Sequence, residues 1–188
     1  MAQSKILLDS NTYFRLAKSI HPLLFCPFGE EEYCLYVAKE LDDEYSRSSR
    51  LRTKFAWVDD AEFRENRKQR LTLSRSQRNT ELPTVYEFLW DHAITSELGA
   101  SRVDVTVLAY GYVLGIPVVT DDRDMRALAQ EYDIEVWTTL ELLHLMLEKS
   151  HIDMAKIRQI AGFWSYEQDL PADFVRDYAR LFGESPPV

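Results

Sequence analysis

Short apolar runs alternate with helical segments along this chain, and several of the runs end in polar or acidic residues. The run Ile6 to Leu8 stops at Asp-Ser-Asn, and the run Tyr33 to Val37 precedes a Glu-rich segment of helical composition. Each run predicts a buried strand, and turn and cap residues end the first of them. Because strands that alternate with helices form parallel sheets, the pattern predicts an α/β fold.

The alternation is clearest after residue 100. Apolar residues from Val103 to Leu114 mark one face of a helix, Gly115 ends that helix, and the strand Pro117 to Thr120 follows. The same pattern predicts, in order, a helix Met125 to Tyr132, a strand Ile134 to Trp137 and a helix from Thr139. These elements complete the predicted parallel sheet.

The length and patterning favour one main unit with two additions. A chain of 188 residues with 46% hydrophobic residues can bury one ample core. We expect an α/β domain over residues 1–149, a basic and mostly helical insertion at about 46–95, and a helical C-terminal extension over 150–188. Turns are predicted near Asn79-Thr80 and Pro83, and an aromatic turn (Phe163, Trp164, Tyr166) is predicted before a last amphipathic helix that ends at Gly183.

Acidic residues lie at corresponding places in several of these units. They are Asp9, Glu40, Asp104 and the group Asp121, Asp122 and Asp124. In right-handed β-α-β crossovers a helix begins where the strands finish, so all of these positions share the carboxyl edge of the sheet. Like charges about 4 Å apart repel by roughly 4 kcal/mol at an effective dielectric constant of 20, and only Arg102 and Arg123 are expected nearby. Such a cluster implies a bound divalent cation.

Each of these acids also has a structural explanation. Asp104 follows Ser101 by three residues, which is the spacing of a capping box, and Asp121 or Asp122 could cap the next helix. Asp9 could form a turn, and Glu40 could be a solvated helix residue. None of these roles requires the acids to converge, so the sequence leaves both explanations open.

The charge of the chain is unevenly distributed. The net charge is −9, yet ten of the 22 Lys and Arg residues and only four acids lie between Arg47 and Arg78. A local basic surface can bind a polyanion because salt screens charges beyond roughly 10 Å, and Phe55 and Trp57 could stack on bases. The alternative is a solvated helix pair that keeps the insertion soluble. The candidate RNA-binding residues are Arg47, Arg50, Arg52, Lys54, Arg64, Arg67, Lys68 and Arg70.

Other residue types argue against a disulfide framework, a histidine metal site and a membrane span. Cys26 and Cys34 are too few for a disulfide framework, and the four histidines show no metal-ligand spacing. No apolar run approaches the roughly 20 residues of a membrane span, and no secretory leader is present. We therefore expect a soluble cytoplasmic protein that does not enter a membrane.

At the level of motifs, the chain resembles the PIN-domain nucleases. The resemblance rests on ILLDSN, VAKEL, SRVDVTVLAYGYVLGIPVVTDDRDM and LAQEYDIEVWTTLELL, and it covers roughly residues 4 to 45 and 98 to 148. It implies a three-layer α/β/α sandwich with a mostly parallel sheet, and cleavage of RNA that depends on Mg²⁺ or Mn²⁺. Small members of the family are often toxins of toxin–antitoxin pairs, similar to the VapC type, so an antitoxin-like protein and a homodimer are possible partners.

The resemblance also assigns roles to residues. The implied catalytic metal ligands are Asp9, Glu40, Asp104 and Asp122. Glu44 lies one helical turn beyond Glu40, and Asp121 and Asp124 flank Asp122, so these three residues remain alternatives. Supporting hydrogen bonds are expected from Ser10, Asn11 and Thr120. Hard cations prefer such carboxylate oxygens.

Two other functions fit the residues less well. A fold of the same kind that binds RNA or a protein without cutting it would have no use for crowded carboxylates. A phosphohydrolase of the Asp-x-Asp type is disfavoured because residue 11 is asparagine, and neither G-x-G-x-x-G nor a Walker motif is present.

Overall fold

The core of the protein is a four-stranded sheet in which all strands are parallel, so the predicted α/β fold is confirmed. The computed structural model describes residues 3–187. The strand order is β2-β1-β3-β4, with β1 at Ser4–Leu8, β2 at Tyr33–Val37, β3 at Val118–Val119 and β4 at Val136–Trp137.

Helices cover both faces of this sheet. Their bounds are α1 Ser10–Leu16, α2 Glu40–Arg47, α3 Ser49–Lys54, α4 Ala61–Asn66, α5 Leu82–Thr95, α6 Arg102–Leu114, α7 Arg123–Glu131, α8 Thr139–Glu148, α9 Met154–Glu167 and α10 Phe174–Phe182. A 3-10 turn, Ala56–Asp59, joins α3 to α4, and a π-helical segment, Gln77–Glu81, leads directly into α5. None of the helices in residues 3–187 is long and apolar enough to span a membrane.

Alternating side chains of the strands divide the core into two layers. Ile6 and Leu8 of β1 pack with α1 and α8, together with Trp164 of the C-terminal extension. Leu7 of β1 and Val118 of β3 pack on the other face with α5, α6 and α7. Since successive strand residues point to opposite faces, a single sheet separates two helical layers in a three-layer α/β/α sandwich.

The register of the sheet aligns the ends of its strands. Leu8 pairs with Val37 on one side and with Val119 on the other, and Val119 pairs with Trp137. All four strands therefore end at the same edge, as the acidic positions require. From β1 the chain crosses to β2 by way of α1, and from β3 it crosses to β4 by way of α7, on opposite faces. The gap between β1 and β3 is thus the topological switch point, where open α/β sheets bind ligands.

The helix α6 approaches the sheet closely because it contains a glycine. A Cβ atom on Gly111 would lie 2.5 Å from Val118 Cγ2, which no real packing allows. Gly115 then ends the helix with φ of 59°, in the left-handed region that glycine adopts without strain. The close approach fixes the C-terminal part of α6 against β3.

Two local predictions were wrong. Asn79-Thr80 and Pro83 lie within a helix rather than in turns, because the backbone widens into π turns before the proline. The aromatic residues Phe163 and Trp164 lie inside α9, where Trp164 is buried and its indole N–H donates to the Arg15 carbonyl at 3.3 Å.

Candidate functional site at the carboxyl edge of the sheet

Asp9 is the most buried acid of the chain's candidate site. It follows β1 directly and caps α1, where Oδ1 accepts a hydrogen bond from the Thr12 backbone N–H. Its Oδ2 accepts from the Thr120 hydroxyl at 2.7 Å. Asp9 is only 2% exposed, and no lysine or arginine within residues 3–187 forms an ion pair with it.

The surroundings of Asp9 make its negative charge costly. Burial raises the pKa of Asp9 from its ordinary value of 3.8 to about 6, and the charge of Asp121 raises it further. Hydrogen bonds from Thr12 and Thr120 act in the opposite direction and do not compensate. A carboxylate buried in this way gains stability from a cation close to it.

Thr120 joins the ends of β1 and β3. Its hydroxyl donates to Asp9 Oδ2, and the same oxygen accepts from the Asp122 backbone N–H at 3.1 Å. This completely buried threonine therefore fixes the position of Asp9 relative to the turn that carries Asp122. The sequence analysis predicted Thr120 as a supporting residue.

Asp122 and Asp104 both cap helices, as their structural explanations proposed. Asp122 Oδ1 accepts from the Met125 N–H at 2.8 Å at the start of α7. Asp104 and Ser101 form a capping box at the start of α6, in which Asp104 Oδ2 accepts from the Ser101 N–H at 2.7 Å. Each cap uses one carboxylate oxygen, and no donor within residues 3–187 reaches the second. Capping therefore leaves both carboxylates able to bind a cation.

The charge of Asp122 also acts on Asp104. Burial raises the pKa of Asp104, and the negative charge of Asp122 raises it further. The two side chains, which belong to different helices, are therefore close enough for one charge to act on the other.

Asp121 has a different environment, which the sequence analysis did not foresee. Its Oδ2 forms an ion pair with Arg15 of α1, and Thr139 at the start of α8 donates to both carboxylate oxygens, its backbone N–H at 2.9 Å to Oδ1. The expectation that Arg102 and Arg123 are the only nearby cations was therefore wrong. Asp121 links α1, β3 and α8, and its charge is already neutralised.

Asp124 likewise has a local partner. Its Oδ2 accepts from the Gly99 N–H at 2.8 Å, which ties α7 to the loop before α6. A Cβ on Gly99 would lie 2.6 Å from that oxygen, so the contact requires glycine there.

One cavity contains most of the acids near the switch point. It has a volume of about 350 Å³ and is lined by Asp9, Asn11, Thr12, Arg15, Asp121 and Asp122, and by residues 169–172 of the C-terminal extension. Asn11 is exposed there, whereas Ser10 is buried and does not line the cavity.

Glu40 lies in a separate cavity. Its neighbours there include Arg70, Arg78 and Tyr110, and the cavity measures about 350 Å³. The Oε2 atoms of Glu40 and of Glu44 are buried without a hydrogen-bond partner among the described residues. Burial raises the pKa of Glu40, and burial together with the charge of Glu40 raises the pKa of Tyr110 to about 12. Two acids of α2 thus have oxygens that lack a donor.

The arrangement brings the predicted ligands together only in part. Asp9 and Asp122 share a cavity, the charge of Asp122 raises the pKa of Asp104, and Glu40 lies in a separate cavity. Within residues 3–187, no three His, Cys, Asp or Glu side chains form a group that could hold a metal ion as the side chains are placed. Carboxylate oxygens are the ligands that Mg²⁺ and Mn²⁺ prefer. In their present orientation these carboxylates accept hydrogen bonds at the starts of helices.

The basic residues of the insertion fall into two classes. Most are exposed: Arg47, Arg50, Arg52, Lys54, Arg64, Lys68 and Arg70. Arg67 is an exception, because it is only 4% exposed and donates to the Tyr13 hydroxyl, two backbone carbonyls and Asp42. The expectation that Arg67 contacts RNA therefore does not fit its buried, structural position.

No family model matches the sequence, and no curated protein matches it. Among solved structures it is similar to the crystal structure of FitAcB from Neisseria gonorrhoeae, with a TM-score of 0.47 and 14% sequence identity. The match covers 72% of this chain and 98% of that chain. A similarity at this level carries no inference about function.

Proposed function

We propose that this chain is a Mg²⁺- or Mn²⁺-dependent endoribonuclease whose acidic site lies at the switch point between β1 and β3. The observation that carries the proposal is the position of Asp9 and Asp122 in one cavity at that point. Asp104 is near enough for the charge of Asp122 to raise its pKa. Open α/β sheets bind their ligands at this place. Phosphodiester hydrolysis is the chemistry that clustered carboxylates with a divalent cation support best.

The proposed ligands are Asp9, Asp104 and Asp122. Each is a carboxylate, and Asp104 and Asp122 each have one oxygen that the helix caps do not use. Asp121 is a weaker candidate because Arg15 already forms an ion pair with it, and Asp124 is a weaker candidate because it does not line the cavity that Asp9 and Asp122 share. The ion pair and the cavity lining therefore support the choice of Asp122 among the three neighbouring acids.

Glu40 is proposed as the fourth ligand on different grounds. Its Oε2 atom is buried and lacks a donor among the described residues, and such an atom gains from a cation. Glu44 shares this property and remains the alternative. Glu40 would have to turn from its present cavity toward the switch point.

The roles of the chain's own residues follow from their contacts. Thr120 holds Asp9 in one orientation, and Asn11, exposed in the same cavity, offers an amide to a phosphate oxygen. A bound divalent cation supplies Lewis-acid activation of the attacking water and of the phosphodiester. The exposed arginines of the insertion would bind the RNA backbone by charge.

The experiment that tests this proposal is cleavage of a total-RNA pool by the purified protein with Mn²⁺ and with EDTA, followed by mapping of new ends. New ends should appear only with Mn²⁺. Asp104→Asn should abolish cleavage and leave the metal-free protein at least as stable, because burial already disfavours the charged form. The exposed Asp91→Asn is the matched control. An Asp104→Asn variant that cuts RNA at the normal rate would refute the site.

A second candidate function is an RNA- or protein-binding module without catalysis. One observation favours it: no group of three potential ligands is formed within residues 3–187. On this alternative, Asp104 and Asp122 serve only as helix caps. Millimolar Mn²⁺ would then leave the melting temperature unchanged, whereas the nuclease requires an increase.

The biological role is proposed from the sequence motifs alone. Their resemblance to PIN-domain nucleases favours a toxin of a toxin–antitoxin pair that acts on cytoplasmic RNA. Such a toxin needs an antitoxin-like protein to inhibit it. Growth arrest on expression of the wild type, and normal growth with Asp104→Asn, would support that role.

A further inference from the structure

A second cavity lies beside the acidic one, and half of the residues that line it are aromatic. Its walls come from α1, from the segment between α3 and α4, and from α9, and its volume is about 210 Å³. The rings that line it are those of Phe14, Phe55, Trp57, Phe163 and Trp164. We refer to it as the aromatic cleft.

The aromatic cleft and the acidic cavity are adjacent. Arg15 and Asp169 line both of them. The Arg15 guanidinium forms ion pairs with Asp121 on one side and with Asp169, at 3.3 Å, on the other, and it lies 5.7 Å from the centre of the Trp164 ring. A polymer bound at the acids would therefore pass the mouth of the cleft.

The rings of the cleft form a rigid wall with one accessible side. Phe55 is stacked on Phe14 at 4.8 Å between ring centres, and Trp57 meets Phe55 edge-on at 6.3 Å. Trp164 is buried, whereas Phe163 is 40% exposed. An exposed ring on a fixed helix next to a stacked pair is a surface on which another flat ring can stack.

The charges at the rim suit a nucleotide. Lys18 is exposed and has no acidic partner within residues 3–187, and Lys54 lies 3.7 Å from Asp169 and 5.0 Å from the centre of the Phe55 ring. These lysines offer positive charge to a phosphate. Glu167 also lines the cleft, and its carboxylate can accept a hydrogen bond from the amino group of a base.

The size of the cleft limits its occupant. About 210 Å³ is less than the roughly 300 to 1,000 Å³ of sites for drug-sized ligands, so the cleft has room for one planar ring system. A base can enter only if it is unstacked, which requires single-stranded nucleic acid.

We propose that the aromatic cleft binds one unpaired base of single-stranded RNA, next to the phosphodiester at the acidic site. The proposal rests on the proposed nuclease function for its substrate and goes beyond it by naming single-stranded RNA and the residues that hold a base. Phe163 supplies the stacking surface, and Lys18 binds the neighbouring phosphate. Base pairing would exclude the same RNA from the cleft.

The test measures binding without cleavage. A fluorescently labelled single-stranded RNA octamer, the same octamer with abasic sites and its duplex are titrated in EDTA against the full chain. The wild type should bind the octamer more tightly than either other form. Phe163→Ala should weaken octamer binding by roughly 5- to 150-fold, the range for loss of a base-stacking ring. Phe88→Ala is the matched control, because Phe88 is 66% exposed on α5 and does not line the cleft.

Each result has a defined meaning. Equal binding of the octamer and its abasic form, unchanged binding by Phe163→Ala, or no binding of any RNA would overturn the proposal. The octamer should also quench tryptophan fluorescence more in the wild type than in Phe163→Ala, and equal quenching of the two would count against the proposal. Cleavage with Mn²⁺, assayed separately, distinguishes the two proposals: base-dependent binding without cleavage contradicts only the nuclease, and cleavage with base-independent binding contradicts only the cleft.

Discussion

Replacing Asp9 with asparagine should make the metal-free protein more stable at neutral pH. The side chain is buried, and its pKa is raised from 3.8 to about 6. One pKa unit corresponds to roughly 1.4 kcal/mol, so the charged form costs the folded state about 3 kcal/mol. Solvent does little to reduce this cost, because Asp9 is only 2% exposed.

The direction of the pH dependence follows from the two pKa values. Below pH 3.8 the carboxyl is protonated in both the folded and the unfolded chain, and burial costs nothing extra. Between pH 3.8 and about 6 the unfolded chain loses the proton first, so the free energy of unfolding falls as the pH rises. Above about pH 6 the full cost is present and constant.

Asparagine should fit the same position. Its amide oxygen can accept from the Thr12 N–H, and its amide nitrogen can donate to the Thr120 hydroxyl oxygen, which then acts as an acceptor. Asp9→Asn therefore removes the charge and keeps both contacts.

The assay is urea unfolding in EDTA from pH 3.5 to pH 7.5. At pH 7.5 the free energy of unfolding of Asp9→Asn should exceed that of the wild type by about 3 kcal/mol, which corresponds to roughly 6 to 12 °C in melting temperature. At pH 3.5 the two proteins should be equally stable. The exposed helix cap Asp153→Asn is the control and should change stability by no more than about 0.5 kcal/mol at any pH. A variant less stable than the wild type at pH 7.5, or a difference that does not vary with pH, would refute the reasoning.

Two further predictions concern packing. Arg67→Met should lower the free energy of unfolding, measured in urea, by about 2 to 4 kcal/mol, because it removes the donor from a buried phenol oxygen and two carbonyls. Arg64→Met, on the exposed side of α4, should leave the stability unchanged. Equal effects of the two substitutions would contradict the structural role of Arg67. Gly111→Ala should lower the free energy of unfolding by about 1 to 3 kcal/mol, because its Cβ would clash with Val118. Gly162→Ala, whose Cβ would meet nothing within 4 Å, should leave the stability unchanged or raise it. A Gly111→Ala variant as stable as the wild type would show that α6 can move away from the sheet.

Much of the fold could be predicted from local pattern. β2 coincides with the apolar run Tyr33 to Val37, because an uninterrupted run bounded by polar residues has few other structures open to it. The end of α6 at Gly115 was equally predictable, since glycine accepts a left-handed conformation at little cost. The parallel order of the strands followed from the crossovers.

Errors arose where tertiary packing overrode local preference. Phe163, Trp164 and Tyr166 were predicted to form a turn, yet α9 continues through them because Trp164 reaches the core and its indole N–H donates to the Arg15 carbonyl. Pro83 suggested a break, yet the π turns before it accommodate a residue that has no N–H to donate.

The sequence indicates which strand ends and helix starts carry the acids, but it does not indicate which side chains form ion pairs with them. The pattern predicts Asp9, Asp104 and Asp122 at one edge, and the register of the sheet aligns the strand ends that precede Asp9 and Asp122. The ion pair of Arg15 with Asp121 joins residues 106 positions apart, and no local pattern identifies such a contact. A long-range partner of this kind decides which acid is left free for a cation.

Binding of Mn²⁺ to the purified protein tests the central claim most directly. Loss of the free-ion signal in electron paramagnetic resonance counts bound Mn²⁺ without depending on RNA or on cleavage. The wild type should bind one or two ions at up to millimolar Mn²⁺, Asp91→Asn should bind the same number, and Asp9→Asn combined with Asp104→Asn should bind none at this site. A wild type that leaves all Mn²⁺ free, or a double variant that binds as the wild type does, would contradict a divalent-cation site between these acids.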